Sequence, residues 1–146
     1  GEVPDGEHLI PIGKADIKRA GTDVTLITWG KITHKVIEAC EELAKMGVEA
    51  ELIDLRTLTP MDEKSVFTSI RKTNRAVIVE ENWPFASVGA QIADSIQRHC
   101  FDDLDAPVLR VSQAPVPVPY SEHLEEAVLP SITQIIEAVK EVTYKR

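Results

Sequence analysis

The stretch Ala76-Val77-Ile78-Val79-Glu80-Glu81 decides the fold class of this chain. Four consecutive apolar residues that end at two carboxylates are typical of a strand buried on both faces of a sheet. Such a strand needs helices on both sides of its sheet, and helical patterns do precede and follow it. Because it is the most apolar of the strand candidates, we expect it to lie at the centre of the sheet.

Three further apolar runs lie on either side of this stretch and alternate with helical patterns. The predicted strands are Val24–Trp29, Val48–Leu55 and Val108–Val111. Between them, apolar residues recur at the spacing that places them on one face of a helix. This alternation predicts a parallel sheet with right-handed crossovers and helices on both faces.

Local signals predict where the helices begin and end. Thr33 is expected to cap the first helix, and Gly47 is expected to end it in the left-handed conformation. Thr59 is expected to cap the second helix, with Pro60 in its first position. The other predicted starts are Ser87, and Ser131 with Gln134 in a capping box.

Prolines dominate the segment that follows the last predicted strand. In Pro115–Pro119 they occupy alternate positions, and each fixes φ and removes a hydrogen-bond donor. We therefore expect a stiff, extended segment there. The acidic run Asp102–Asp105 precedes the same strand, and we expect the two segments to form one corner where the domain meets its partners.

The chain is predicted to contain one domain preceded by a connector. Its 146 residues suit a single domain. Residues 1–20 are rich in proline and glycine and are predicted to be a connector with a short edge strand near Ala15–Arg19, whereas residues 21–146 form the domain. Because the chain opens on Gly1, we expect a processed product or an excised piece, and the excised piece is favoured.

Composition and charge narrow the classes of partner. Hydrophobic residues make up 43% and charged residues 27% of the chain, as in ordinary globular domains. The net charge of -8 argues against nucleic acid and anionic membranes and fits a basic protein partner. Apolar runs fall short of the ~20 residues of a membrane span, and no signal-peptide pattern is present.

The carboxyl ends of the predicted strands are where ligands bind in open α/β sheets. Gly30 stands alone there, without a glycine-rich phosphate loop, and predicts a tight turn. Glu80 and Glu81 point to opposite faces of their strand, which favours capping and solvation over acid–base catalysis. Asp54 and Arg56 are two residues apart and are expected to form a structural ion pair.

The histidines and cysteines form no catalytic or metal-binding pattern. Cys40 and Cys100 each lie on the apolar side of a predicted helix, which favours reduced core thiols. The four histidines are scattered and are expected at the surface or at helix ends; they are His8, His34, His99 and His123. The residues alone therefore indicate an α/β domain with no visible active site.

An ordered set of motifs nevertheless resembles a known family. The motifs are Ile53–Asp62, Lys72–Arg75 leading into Val79–Glu81, Gly89–Ala93, Leu104–Val108, Val116–Tyr120 and Leu129–Pro130. From about Ile12 to its end, the chain resembles the transketolase-like C-terminal domain of the beta subunit of the pyruvate dehydrogenase decarboxylase component. The resemblance implies a three-layer αβα sandwich with a mostly parallel five-stranded sheet and one antiparallel strand.

The resemblance also implies a parent enzyme and its partners. The parent is an α2β2 enzyme that uses thiamine diphosphate and magnesium, decarboxylates pyruvate and reductively acetylates lipoyl groups of the dihydrolipoyl acetyltransferase. In the family, the cofactor is bound by the alpha subunit and by the N-terminal, pyrimidine-binding domain of the beta subunit. This chain lacks both, so we expect it to contain no catalytic, cofactor or metal residue and to be inactive alone.

The resemblance assigns two roles to the C-terminal domain. It pairs beta subunits, and it presents the docking surface for the peripheral subunit-binding domain of the acyltransferase. The family position tied to that contact is the aspartate of the Leu-Asp-Ala-Pro motif, which is Asp105 here. A plain turn-forming role for Asp105 remains the alternative.

The sequence departs from the family at two positions, and it leaves the identity of the parent enzyme open. Gln113-Ala114-Pro115 stands where the family often has Gly-Ala-Asp, and Ser87 replaces a common glycine. The parent could instead be an acetoin or branched-chain 2-oxoacid dehydrogenase, or the chain could be a stand-alone nucleotide-binding module. The parent is expected in the cytoplasm of a bacterium, or in the mitochondrial matrix or plastid of a eukaryote.

Overall fold

The computed structural model describes residues 5–145, so residues 1–4 of the predicted connector lie outside the described part. Five strands form one sheet in the order β1-β3-β2-β4-β5. They are β1 (Asp16–Arg19), β2 (Val24–Thr28), β3 (Ala50–Asp54), β4 (Ala76–Val79) and β5 (Leu109–Val111). β2, β3, β4 and β5 pair in parallel, and β1 pairs antiparallel with β3 at the edge. The mixed sheet and the edge strand in the predicted connector are therefore confirmed.

Helices cover both faces of this sheet, as the sequence predicts. They are α1 (Thr33–Lys45), α2 (Glu63–Thr73), α3 (Val88–Cys100), α4 (Glu122–Val128) and α5 (Ile132–Thr143). α1 and α5 pack on one face around Leu26 and Val77, while α2 and α3 pack on the other around Ile27 and Ile78. Alternate residues of each strand thus serve two separate cores, which makes a three-layer αβα sandwich. Within residues 5–145 no helix has the length and apolar character needed to cross a membrane.

The central strand is β2, so the expectation that Ala76–Val79 would be central is wrong. β4 lies between β2 and β5, one position from the edge. All residues of both β2 and β4 are buried. A continuous apolar run therefore indicates that helices cover both faces of the strand. It does not indicate where the strand lies within the sheet.

Two of the predicted helix caps are wrong and the others are confirmed. α1 begins after Ile32 without a side-chain cap, and the Thr33 hydroxyl is buried without a partner. α2 begins after Asp62, whose carboxylate accepts the Ser65 N–H at 3.2 Å, three residues later than the predicted Thr59 cap. The other predicted helix ends are found at Gly47, at Ser87, and at Ser131 with Gln134 in a capping box.

The crossovers join the two ends of the parallel strands, which we call the amino edge and the carboxyl edge of the sheet. The loops after β4 and β5 leave the carboxyl edge, whereas the loops before β4 and β5 arrive at the amino edge. The proline segment follows β5 and the acidic run precedes it, so the two lie at opposite ends of this strand. The expectation that Asp102–Asp105 and Pro115–Pro119 form one corner is therefore wrong, because β5 runs between them.

Candidate partner-binding surface

Asp105 lies at the amino edge of the sheet, in the loop between α3 and β5. Its side chain is 55% exposed and forms an ion pair of 2.9 Å with Arg75, which precedes β4. Its backbone N–H donates to the Asn74 carbonyl at 2.8 Å, and its own carbonyl accepts the Tyr144 hydroxyl at 3.2 Å. Segments before β4, before β5 and after α5 thus converge on this one residue.

Asn74 organises the loop that carries Asp105. It caps the C-terminus of α2 in the left-handed conformation, with φ of 59°. Its side-chain amide donates to the Asp103 carbonyl at 2.7 Å, while its own carbonyl accepts the Asp105 N–H. Asparagine suits both tasks, since it tolerates the left-handed region and carries an amide donor. We call residues 101–107, together with Asn74 and Arg75, the acidic corner.

Replacing Asn74 with alanine should lower the free energy of unfolding by about 2 kcal/mol. The change places a Cβ-bearing residue without a side-chain hydrogen bond in the left-handed region, and it leaves the Asp103 carbonyl without its donor. Asn74→Gly is the matched control, because it removes the amide but tolerates the backbone, and should cost about 1 kcal/mol. Urea denaturation measures the free energy of unfolding of both variants. Equal losses for Asn74→Ala and Asn74→Gly would show that the left-handed backbone at position 74 does not contribute to the cost.

Arg71 ties the acidic corner to helices α2 and α3. Its side chain contacts the Asp103 carboxylate at 3.2 Å and donates to the His99 carbonyl at 3.1 Å. Asp103 is therefore engaged inside the domain. Asp102 and Asp105 remain exposed to solvent, so these two carboxylates define the negative face that a partner would meet.

A groove of about 520 Å³ opens beside Asp105. Phe101 stands in its wall with 65% of its surface exposed, and Asp105 itself belongs to the lining. The other lining residues are Gln97, Asp102, Leu104, Ala106 and Pro107. The acidic corner therefore combines exposed carboxylates with an apolar recess.

The carboxyl edge carries a different feature, a fully buried Glu80. Its carboxylate accepts the Gly89 N–H at 2.9 Å, the Ser87 hydroxyl at 2.8 Å and the Ser112 hydroxyl at 3.1 Å. A Cβ on Gly89 would overlap this carboxylate, so the glycine permits the close approach of α3 to the sheet. The expected capping role is confirmed for Glu80, whereas solvation is wrong for it.

Arg110 closes the polar cluster around Glu80. Its guanidinium contacts Glu80 at 3.4 Å, donates to the Ser87 hydroxyl at 2.9 Å and donates to the Pro84 carbonyl at 2.9 Å. No sequence pattern predicts this cluster, because its donors come from separate loops. Ser87, which replaces a glycine common in the family, caps α3 through the Ala90 N–H and also donates to Glu80.

The other predictions at the carboxyl edge have mixed outcomes. The expected Asp54–Arg56 ion pair is wrong, because the Arg56 side chain pairs with Asp16 of β1 at 2.6 Å. Asp54 instead accepts the backbone N–H of Arg56 at 3.0 Å. Gly30 has φ of 75° in a short turn between β2 and α1, so the predicted tight turn is confirmed.

The cysteines and histidines occupy structural positions. Cys40 and Cys100 are free and buried, as predicted, and burial raises the pKa of the Cys40 thiol to about 11. All four histidines are exposed, and His99 stacks on Phe67 with ring centroids 4.9 Å apart. Residues 5–145 contain no group of three or more histidine, cysteine or acidic side chains that could hold a metal ion.

Comparisons with known proteins agree with this architecture. The family described as "Transketolase, C-terminal domain" matches residues 13–135. The beta subunit of the pyruvate dehydrogenase E1 component from Dictyostelium discoideum is 44% identical over 97% of this chain and 40% of its own length. The beta subunit of acetoin:2,6-dichlorophenolindophenol oxidoreductase from Bacillus subtilis is 44% identical over 97% of this chain and 42% of its own length.

A solved structure adds support at the level of the backbone. A split-gene transketolase, described as an inactive beta4 tetramer, matches 100% of this chain and 47% of its own with a TM-score of 0.80 and 26% identity. The chain spans about two fifths of the length of the two beta subunits. It belongs to the transketolase C-terminal domain family.

Proposed function

We propose that this chain is the C-terminal domain of the beta subunit of a thiamine diphosphate-dependent pyruvate dehydrogenase, with residues 1–20 as the connector from an N-terminal pyrimidine-binding domain. Within an α2β2 parent, the domain pairs beta subunits and docks the peripheral subunit-binding domain of the dihydrolipoyl acetyltransferase. The parent enzyme decarboxylates pyruvate and transfers the acetyl group to lipoyl groups. The parent works in the cytoplasm of a bacterium or in the mitochondrial matrix or plastid of a eukaryote.

The observation that carries the docking proposal is the environment of Asp105. Its carboxylate is held by Arg75 yet remains more than half exposed, and a carboxylate has acceptor sites beyond those that one guanidinium uses. The loop beneath it is fixed by Asn74, so little order has to be imposed when a partner binds. A basic domain matches the local charge and the net charge of -8.

Replacing Asp105 with alanine should weaken binding of the peripheral subunit-binding domain by about tenfold or more, which corresponds to about 1.4 kcal/mol. Isothermal titration calorimetry of the wild-type chain and the variant measures this change at low and at physiological salt. Binding should also weaken as salt rises, because an exposed ion pair is screened. Asp94→Ala, which removes an exposed aspartate in the middle of α3, is the matched control.

Two outcomes would contradict the docking proposal. An affinity of the Asp105 variant equal to that of the Asp94 control would remove Asp105 from the contact. The absence of binding by the folded wild-type chain would mean that this chain does not by itself carry the docking surface.

The described residues do not fit thiamine diphosphate and magnesium. The glycine at the β2–α1 turn stands alone, and the acidic residues form no metal-holding group within residues 5–145. We infer that the chain alone binds no cofactor and is inactive. Thermal melting with millimolar thiamine diphosphate and magnesium should leave the Tm unchanged. A ligand that binds, at a concentration of 100 times its Kd, would raise the free energy of unfolding by about 2.7 kcal/mol and increase the Tm.

The same melting experiment with nucleotides tests a stand-alone nucleotide-binding module. We expect no shift with any nucleotide at millimolar concentration, since a phosphate-binding glycine-rich loop is missing from the β2–α1 turn. A saturable increase in Tm with one nucleotide would favour that function over the docking role.

An acetoin dehydrogenase is the second candidate for the parent enzyme. The observation in its favour is identity, since the acetoin relative and the pyruvate dehydrogenase relative are each 44% identical to this chain. Assays of the full α2β2 enzyme on pyruvate, acetoin and branched-chain 2-oxoacids distinguish the candidates. We expect the highest kcat/KM on pyruvate.

A further inference from the structure

An exposed aromatic ring stands beside the exposed carboxylates of the acidic corner. Phe101 has 65% of its surface exposed and forms a wall of the groove that Asp105 also lines. The floor of this groove is apolar, with Leu104 partly buried and Ala106 buried. Leaving apolar area in water costs about 25 cal/mol per Å², so covering this ring would stabilise a complex.

The loop that carries Phe101 is fixed before any partner arrives. Phe101 begins the short 3₁₀ turn that ends at Asp103. The Asp103 carbonyl accepts from Asn74, and its carboxylate binds Arg71. The Leu104 N–H closes the turn by donating to the Phe101 carbonyl at 3.3 Å. A rigid aromatic side chain loses little conformational entropy on binding, which is typical of residues that dominate an interface.

The charges around the groove identify the kind of partner. Asp102 and Asp105 lie on its rim, and Asp102 forms no ion pair with the described residues. The only cation that contacts Asp105 among residues 5–145 is Arg75. Because the floor of the groove is apolar, a side chain that enters it would be apolar. Because Asp102 and Asp105 lie beside it, the residues that flank this side chain in the partner would be basic.

We infer that the groove is the second half of the docking site, which accepts an apolar side chain of the peripheral subunit-binding domain while a cation of that domain pairs with Asp105. This inference rests on the proposed function for the identity of the partner. Two such side chains lie on one face of a helix when they are three or four residues apart. The partner is thus recognised by an apolar residue and a basic residue together, and charge alone is insufficient.

Calorimetric titration with the same subunit-binding domain tests this inference through Phe101→Ala. We expect binding to weaken by about tenfold at low salt and by a similar factor at high salt, because the lost contact is apolar. Phe101→Leu should bind with an affinity within about threefold of the wild type, since leucine keeps most of the apolar side chain. Phe85→Ala is the matched control, because Phe85 is 82% exposed and lies in the loop at the carboxyl edge.

The outcomes separate this inference from the proposed function. If the wild-type chain binds and Phe101→Ala weakens binding no more than Phe85→Ala does, the groove is not part of the docking site, although Asp105 can still be. If Phe101→Ala weakens binding but Phe101→Leu does not restore it, apolar contact in the groove does not account for the affinity. If the wild-type chain does not bind at all, the docking proposal and this inference both fail for this chain. Circular dichroism of each variant verifies that it is folded.

Discussion

Replacing Glu80 with alanine should lower the free energy of unfolding by about 3–5 kcal/mol. Glu80 is fully buried, and its carboxylate accepts hydrogen bonds from one backbone amide and several side chains. Removing it leaves the buried Gly89 N–H without an acceptor and leaves Arg110 without its counter-charge. Each orphaned buried group adds its own desolvation cost, which explains the size of the expected loss.

Chemical denaturation of this variant and of Glu81→Ala measures the effect. Glu81 is the matched control, because it is adjacent in sequence and only partly buried, and its removal should change stability by less than about 1 kcal/mol. Glu80→Gln should fall between the two variants, since it keeps the shape but not the charge. Similar losses for the Glu80 and Glu81 alanine variants would show that the polar cluster does not hold the loops together.

Replacing Gly21 with alanine should destabilise the domain by about 3 kcal/mol. Gly21 is buried where the chain passes from β1 into β2. A Cβ at this position would overlap backbone atoms of Ala50 and Glu51 at the start of β3. Backbone atoms within a sheet cannot rotate away as a side chain does, so the strand pairing itself would have to move.

The matched control for this variant is Gly47→Ala. Gly47 ends α1, but no atom beyond its two chain neighbours lies within 4 Å of the position that its Cβ would occupy, and only its φ of 75° resists the change. We expect about 1 kcal/mol for that strain. Thermal or urea unfolding of both variants decides the matter, and equal losses would mean that β3 yields to the methyl group at little cost.

Features set by neighbours in sequence could be predicted from the sequence. The capping box of Ser131 and Gln134 involves residues three apart, and both of its hydrogen bonds are present. The left-handed Gly47 follows from its place after a helical pattern. The alternation of apolar strands with amphipathic helices was enough to predict the layered fold, because each strand has to be covered on both faces.

Features set by contacts between distant segments could not be predicted from spacing. Sequence spacing pairs Arg56 with Asp54, yet the Arg56 side chain reaches Asp16 on the adjacent strand β1. Nothing in the local sequence distinguishes the buried Glu80 from the partly buried Glu81, because the donors that satisfy Glu80 come from loops up to 32 residues away. The Thr59 cap failed for another reason, since Asp62 offers an acceptor closer to the helix that forms.

The sequence identifies Asp105 as a candidate residue, but its sequence neighbours do not predict its surroundings. Asp105 lies ten residues before Pro115, and this proximity suggested a single corner. The intervening β5 carries the chain from the amino edge to the carboxyl edge of the sheet. Asp105 instead contacts Asn74 and Arg75, about 30 residues earlier, and Tyr144, 39 residues later, and spacing predicts none of these contacts.

The acidic corner, at the amino edge of the sheet, is the proposed docking surface for the partner. The most direct test is to titrate the ¹⁵N-labelled chain with the unlabelled subunit-binding domain and to follow its backbone amide resonances. We predict that the perturbed amides cluster at Asn74, Arg75 and residues 101–106, while those of residues 81–88 and 112–120 at the carboxyl edge stay in place. Perturbations confined to the carboxyl edge would contradict the claim.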